Sequence, residues 1–137
     1  MADGRSAGCD GEGDSAVHRR EAVTKDRLLL EEACELFESG DRSRSIRLFQ
    51  RAARMGNLEA QTNLGNIYDD GDGVRASFDK ARYWYRRAIA RGSPDAAYNL
   101  GISYLNRGNA RWGTYWLKVA RAWGDELADE RLVDLGL

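Results

Sequence analysis

The chain has 137 residues, 42% hydrophobic and 31% charged, with a net charge of -1, which suits one domain with its own core. The near-neutral balance excludes a global field drawing the whole molecule to nucleic acid or an anionic membrane. No apolar run approaches the ~18 residues of a membrane span, and no apolar stretch near the N-terminus suggests a secretory leader.

Residues 1–20 are rich in Gly, Asp and Ser and hold few apolar side chains. They cannot bury enough surface to offset the entropy of ordering and read as a flexible tail. A repeat domain is expected over 24–137, where apolar residues recur at i, i+3, i+4 and i+7. The spacing predicts helices over 25–39, 42–55, 57–70, 78–91, 94–107, 109–123 and 125–135. Pro94, the one proline, falls at a helix start, where a missing N–H costs nothing. Cys9 lies in the tail and Cys34 at helical spacing between Leu30 and Phe37. These unlike contexts argue against a structural disulfide, and a reducing, cytoplasmic setting is expected.

The pattern repeats itself. Ala60, Leu64, Gly65, Tyr68 and Gly71 return 36 residues later as Ala96, Leu100, Gly101 and Tyr104, followed by Gly108; Ala128 and Leu132 begin a shorter third copy. A second series interleaves with the first: Leu48, Ala52, Gly56; Trp84, Ala88, Gly92; Trp116, Ala120, Gly124. The glycine closing each set fits a helix C′ position with positive φ. The helices therefore alternate between an A type (first, third, fifth and seventh) and a B type. Small residues mark their expected contacts: Ala33, Gly65 and Gly101 on A helices, with Ser45, Ala81 and Gly113 on B helices. One pair cannot cover its own apolar face, whereas stacked pairs can. The seventh helix would then close the open end, with Asp129, Glu130 and Asp134 turned outward. The expected fold is an all-α, short right-handed solenoid of antiparallel helix pairs, about three repeats plus a C-terminal capping helix.

The stretch Ala60–Val74, with its Gly71-Asp72-Gly73-Val74 loop, then Asp79-Lys80-Ala81, Trp84-Tyr85 and Ala88, resembles a complete Sel-one-like repeat. That family is related to the tetratricopeptide repeats. The copies on either side are more plainly tetratricopeptide-like, and the resemblance covers roughly residues 28–135. It implies a scaffold or adaptor whose A helices line a concave face that grips a peptide or the edge of a domain. It implies no cofactor and no enzyme activity. Extracytoplasmic members often carry paired cysteines in each repeat, which this chain lacks.

Charge divides by helix type. Counted over 25–38, 57–70, 93–106 and 125–135 the A helices sum to -11, and counted over 42–54, 78–91 and 109–121 the B helices sum to +12, so an acidic concave side and a basic convex side are expected. An acidic groove suits a basic protein segment. The plainer reading is surface pairing between neighbouring helices, worth ~0–1 kcal/mol per pair. A third reading is a polyanion or nucleic-acid accessory factor using the convex stripe Arg44, Arg47, Arg51 and Arg54. Nucleic acid is disfavoured because no aromatic residues interleave with that stripe and no recognition motif is present.

Asn63 and Asn99 occupy equivalent positions, and Asn66 lies one turn beyond Asn63. Related peptide-binding repeats use asparagine there to hold a ligand's backbone, and an amide both donates and accepts. The same amides would equally serve to bond neighbouring helices. Glu59, Thr62 and Asp70 extend this inner line on the third helix, and Tyr98, Ile102 and Asn106 on the fifth. The sequence leaves the oligomeric state and the partner's identity open.

No catalytic or metal-binding set is expected. His18 is the sole histidine, and no zinc spacing, nucleophile elbow or phosphate loop occurs. Asp10, Glu12 and Asp14, with Val17 and Glu21, faintly echo a calcium loop, but Ser15 stands where the turn needs glycine. Asp69-Asp70-Gly71-Asp72-Gly73 looks metal-like and is read as a helix end and turn.

Overall fold

The computed structural model describes residues 23–137. The expected tail at 1–20, the calcium-like Asp10–Glu21 stretch and His18 lie outside the described residues. Seven helices follow, each within two residues of its expected bounds: α1 (Lys25–Ser39), α2 (Arg42–Arg54), α3 (Leu58–Asp70), α4 (Phe78–Ile89), α5 (Pro94–Asn106), α6 (Ala110–Ala122) and α7 (Glu126–Asp134). Their starts are chemically marked. The side chains of Asp41, Asn57, Ser77, Ser93, Asn109 and Asp125 each accept from a backbone N–H three residues on. Such caps satisfy donors that the first helical turn leaves unpaired. Gly56 and Gly92 take the left-handed conformation expected just past α2 and α4, with φ of 92° and 84°.

The helices group as three pairs, α1 on α2, α3 on α4 and α5 on α6. Contacts of α2 with α3, α4 with α5 and α6 with α7 join them into one all-α solenoid, and α3 also touches α5. Of the A helices, α3 and α5 thus meet directly. Tyr85, Phe49, Leu30, Leu64, Leu100, Ile102, Leu117 and Leu132 are fully buried at the pair interfaces. Removing each from water stabilises the fold by ~1.5–3 kcal/mol before ordering entropy is counted.

The small positions work as close-approach points. Ser45 Oγ donates to the Ala33 carbonyl at 2.9 Å, tying α2 to α1. At Gly65 the space of a side chain is filled by the Tyr85 ring, and at Gly101 by the Gly113 carbonyl and Leu117. Helix α7 buries Ala128 and Leu132. Its outer side is mixed rather than uniformly polar: Asp129, Glu130 and Asp134 are exposed, and so are Leu127 and Val133.

One expectation is overturned. Cys34 is buried in the core, as its spacing suggested, but it is disulfide-bonded. The chain's other cysteine, Cys9, lies outside the described residues. The inference of a reducing compartment rested on unpaired cysteines and loses that ground. Among the described residues no helix is long and apolar enough to cross a membrane.

Candidate functional site

The C-terminal ends of α3 and α5 lie side by side and enclose an open pocket of about 670 Å³. It is lined by Asp69, Asp70, Gly71 and Asp72 from the end of α3 and by Ser103, Asn106 and Arg107 from the end of α5. No basic residue lies in the last turn of α3, so the negative end of its dipole adds to the three carboxylates, whereas Arg107 caps the end of α5.

Asp69 organises this corner. Its side chain is only 6% exposed. Oδ1 accepts from Ser103 Oγ at 3.0 Å and from Arg107 at 3.0 Å. Oδ2 is buried and accepts no hydrogen bond. Arg107 is in turn held over the Phe78 ring, 4.3 Å from its centroid. Asp72 accepts from Arg42 Nε at 3.0 Å, and Arg42 also donates to the Phe37 carbonyl and lies over that ring. The loop after α3 is therefore fastened to α1 and α2.

One turn down the same seam, Asn66 Oδ1 accepts from the Tyr85 hydroxyl at 2.7 Å and from Asn99 Nδ2 at 3.0 Å. Burial pushes the Tyr85 hydroxyl well above the usual tyrosine range; the charges of Asp69 and Asp70 push it the same way, with Arg107 opposing.

The residues proposed from the sequence fall into two groups. Asp70 and Asn106 are exposed and meet at the pocket. Glu59 and Asn66 are half-buried, and Glu59 lies 4.0 Å from Arg27. Thr62, Asn63, Tyr98, Asn99 and Ile102 are buried; Thr62 Oγ1 donates to the Leu58 carbonyl and Asn99 is bonded to Asn66. Sequence reasoning passed over Asp69, Asp72, Ser103 and Arg107. Repeat equivalence aligns positions 36 apart, but the cross-links pair residues 33 and 34 apart, because neighbouring A helices meet with a shifted register. The convex stripe is exposed at Arg44, Arg47, Arg51 and Arg54, with Arg44 3.4 Å from Asp41 and Arg47 donating to Ser43 Oγ.

Among the described residues no group of three or more His, Cys, Asp or Glu side chains is placed to hold a metal. Of the three carboxylates at the pocket, that of Asp69 is buried, that of Asp72 is half-buried and that of Asp70 is exposed.

The fold defines an all-α repeat solenoid. The Sel1 repeat model matches residues 35–57, 58–93 and 94–111, and the chain belongs to the Sel1 repeat family. Sel1 repeats are, as a family, protein-interaction repeats. The chain is 33% identical over 60 residues to a putative sel1-like repeat-containing protein, L21, of Acanthamoeba polyphaga mimivirus. That match covers 44% of this chain and 11% of the viral protein. A crystal structure of a Sel1 repeat protein from Oxalobacter formigenes superposes with a TM-score of 0.66 at 29% identity, covering 80% of this chain and 89% of that one.

Proposed function

We propose that this chain is a protein-interaction adaptor that takes a basic segment of a partner protein on its concave side, anchored at the pocket between the ends of α3 and α5. The observation that supports the reading is the pocket itself, with three aspartates at the end of α3 facing one arginine at the end of α5. A guanidinium or ammonium group entering there meets carboxylates without leaving an anion unpaired. Charge-assisted bonds to carboxylates are shorter and stronger than neutral ones. Asp70 and Asn106 supply the exposed contacts. Asp69, Asn66 and Asn99 hold the two helices at the spacing that keeps the pocket open. The buried members of the inner line act as its support.

Isothermal titration with a short arginine-rich peptide tests this. Wild type should bind, and Asp70→Lys with Asn106→Lys should weaken binding about tenfold or more. Both positions are exposed, so circular dichroism should show an unchanged fold. Equal binding by the charge-reversed protein contradicts the reading.

A further inference from the structure

The B helices carry a second feature that the concave site does not use. On α4 and α6, Tyr83, Trp112 and Tyr115 are exposed by 53%, 43% and 50%, large values for side chains of this size. They stand among the exposed arginines Arg82, Arg86, Arg87 and Arg111. The rings pack edge to face in a chain, Trp112 on Tyr115 at 5.3 Å and Tyr115 on Trp116 at 4.9 Å, with Tyr83 on Trp84 at 5.0 Å. Guanidinium groups lie over them. Arg87 lies 5.7 Å from the Tyr83 ring and 5.5 Å from Trp84, and it donates to the Tyr83 hydroxyl at 3.0 Å. Arg86 lies 5.7 Å from Trp116, bridging α4 to α6. Arg111 lies 6.0 Å from Trp112. A shallow depression of about 450 Å³ opens between Asp79, Arg82, Tyr83, Arg86, Arg87 and Ala90. Its one carboxylate, Asp79, lies 3.7 Å from Arg82. Among the described residues none of Arg86, Arg87 and Arg111 forms an ion pair with a carboxylate.

This is a shelf of aromatic rings that orients arginines whose charge is not neutralised. Tyrosine, tryptophan and arginine are the residue types that dominate binding energy at protein interfaces. A guanidinium lying on a ring is pre-positioned for bidentate contact with a carboxylate. We infer that the convex face of α4 and α6 docks an acidic protein segment, one alternating Asp or Glu with apolar residues. The carboxylates meet Arg86, Arg87 and Arg111, and the apolar side chains meet Tyr83 and Tyr115. Single-stranded nucleic acid is the competing occupant, since aromatic residues do interleave with arginines here, unlike along Arg44–Arg54. Base stacking requires open ring faces. In this patch Arg87 already lies over the exposed Tyr83 ring and Arg111 over Trp112, which favours the acidic peptide. With a basic segment on the concave side, the chain would bridge two partners of opposite charge.

The test is fluorescence anisotropy with a labelled peptide of alternating Glu and Leu, run beside a labelled oligothymidylate. Arg86→Glu with Arg87→Glu should weaken peptide binding about tenfold or more, whereas Arg51→Glu with Arg54→Glu, an equal charge change on α2, should alter it less than about threefold. Tyr83→Ser, which keeps the charge and removes the ring, should give an intermediate loss. All these positions are exposed, and circular dichroism checks folding. Equal loss from the two arginine pairs, absence of wild-type binding, or tighter binding of the oligothymidylate at this patch overturns the inference.

Discussion

Arg107 donates to Asp69 Oδ1 at 3.0 Å across the seam between α5 and α3, so a guanidinium from the chain itself already occupies the buried carboxylate of the pocket. Arg107 is the exposed partner, 41% against 6% for Asp69. Removing it leaves Asp69 bonded only to Ser103 Oγ among the contacts seen at this carboxylate. Arg107→Ala should cost about 1–2 kcal/mol of stability, discounted for solvent at the arginine. The same variant should bind an arginine-rich peptide more tightly, because an incoming guanidinium no longer competes with an internal one. Urea unfolding and calorimetry read the two effects. Weaker peptide binding would show that Arg107 contributes to the site and does not fill it.

Gly65→Ala should destabilise more than Gly101→Ala. A methyl group at Gly65 would lie 2.3 Å from the ring of Tyr85, which is fully buried. At Gly101 the nearest atoms are 3.0 Å away, a clash relieved by a small shift of α6. Overpacking of the first kind costs about 1–3 kcal/mol, partly offset by the ~1 kcal/mol that alanine gains over glycine inside a helix. Thermal unfolding of the two variants settles the order.

The Tyr85 hydroxyl should titrate well above about pH 10, owing first to burial and then to the charges of Asp69 and Asp70. Its folded-state value is raised, so its contribution to stability is fully present below the unfolded value. That contribution is lost as the pH rises from there through the folded one. Stability should therefore fall above about pH 10, and Tyr85→Phe should flatten that part of the profile. Phenolate absorbance followed together with unfolding free energy checks both. A normal tyrosine titration at Tyr85 would contradict the burial and the effect of those charges.

Asn99→Ala should act on the scaffold before it acts on binding. Asn99 is buried and donates to Asn66, so its loss should cost about 1 kcal/mol. Its effect on arginine-peptide affinity should be smaller than that of Asp70→Lys. A tenfold loss of affinity without loss of stability would make Asn99 a direct contact.

The fold was legible in the sequence because each structural requirement leaves a residue type behind. Pro94 marks a helix start, Gly56 and Gly92 mark ends, and Gly65 and Gly101 mark close approaches. These are short-range signals at helical spacing. Of the residues that the sequence offered for binding, Asp70 and Asn106, 36 positions apart in the repeat, are the two that line the proposed pocket. Asp69, Ser103 and Arg107 depend on the register at which α3 meets α5, a tertiary quantity that no local spacing carries. Asn63 and Asn99 were visible as a repeating pair, but the same chemistry serves a groove and a helix seam, and burial is what separates the two. Tyr83, Trp112 and Tyr115 fall outside the repeat series, which their buried neighbours Trp84 and Trp116 carry.

The most direct test of the central claim is amide chemical-shift mapping of the labelled protein during titration with the arginine-rich peptide. The account predicts that the perturbed amides cluster at Asp69–Asp72 and Ser103–Gly108, with α2 and the exposed side of α4 silent. Perturbations confined to the B helices, or spread evenly over all acidic residues, would contradict a concave anchoring site.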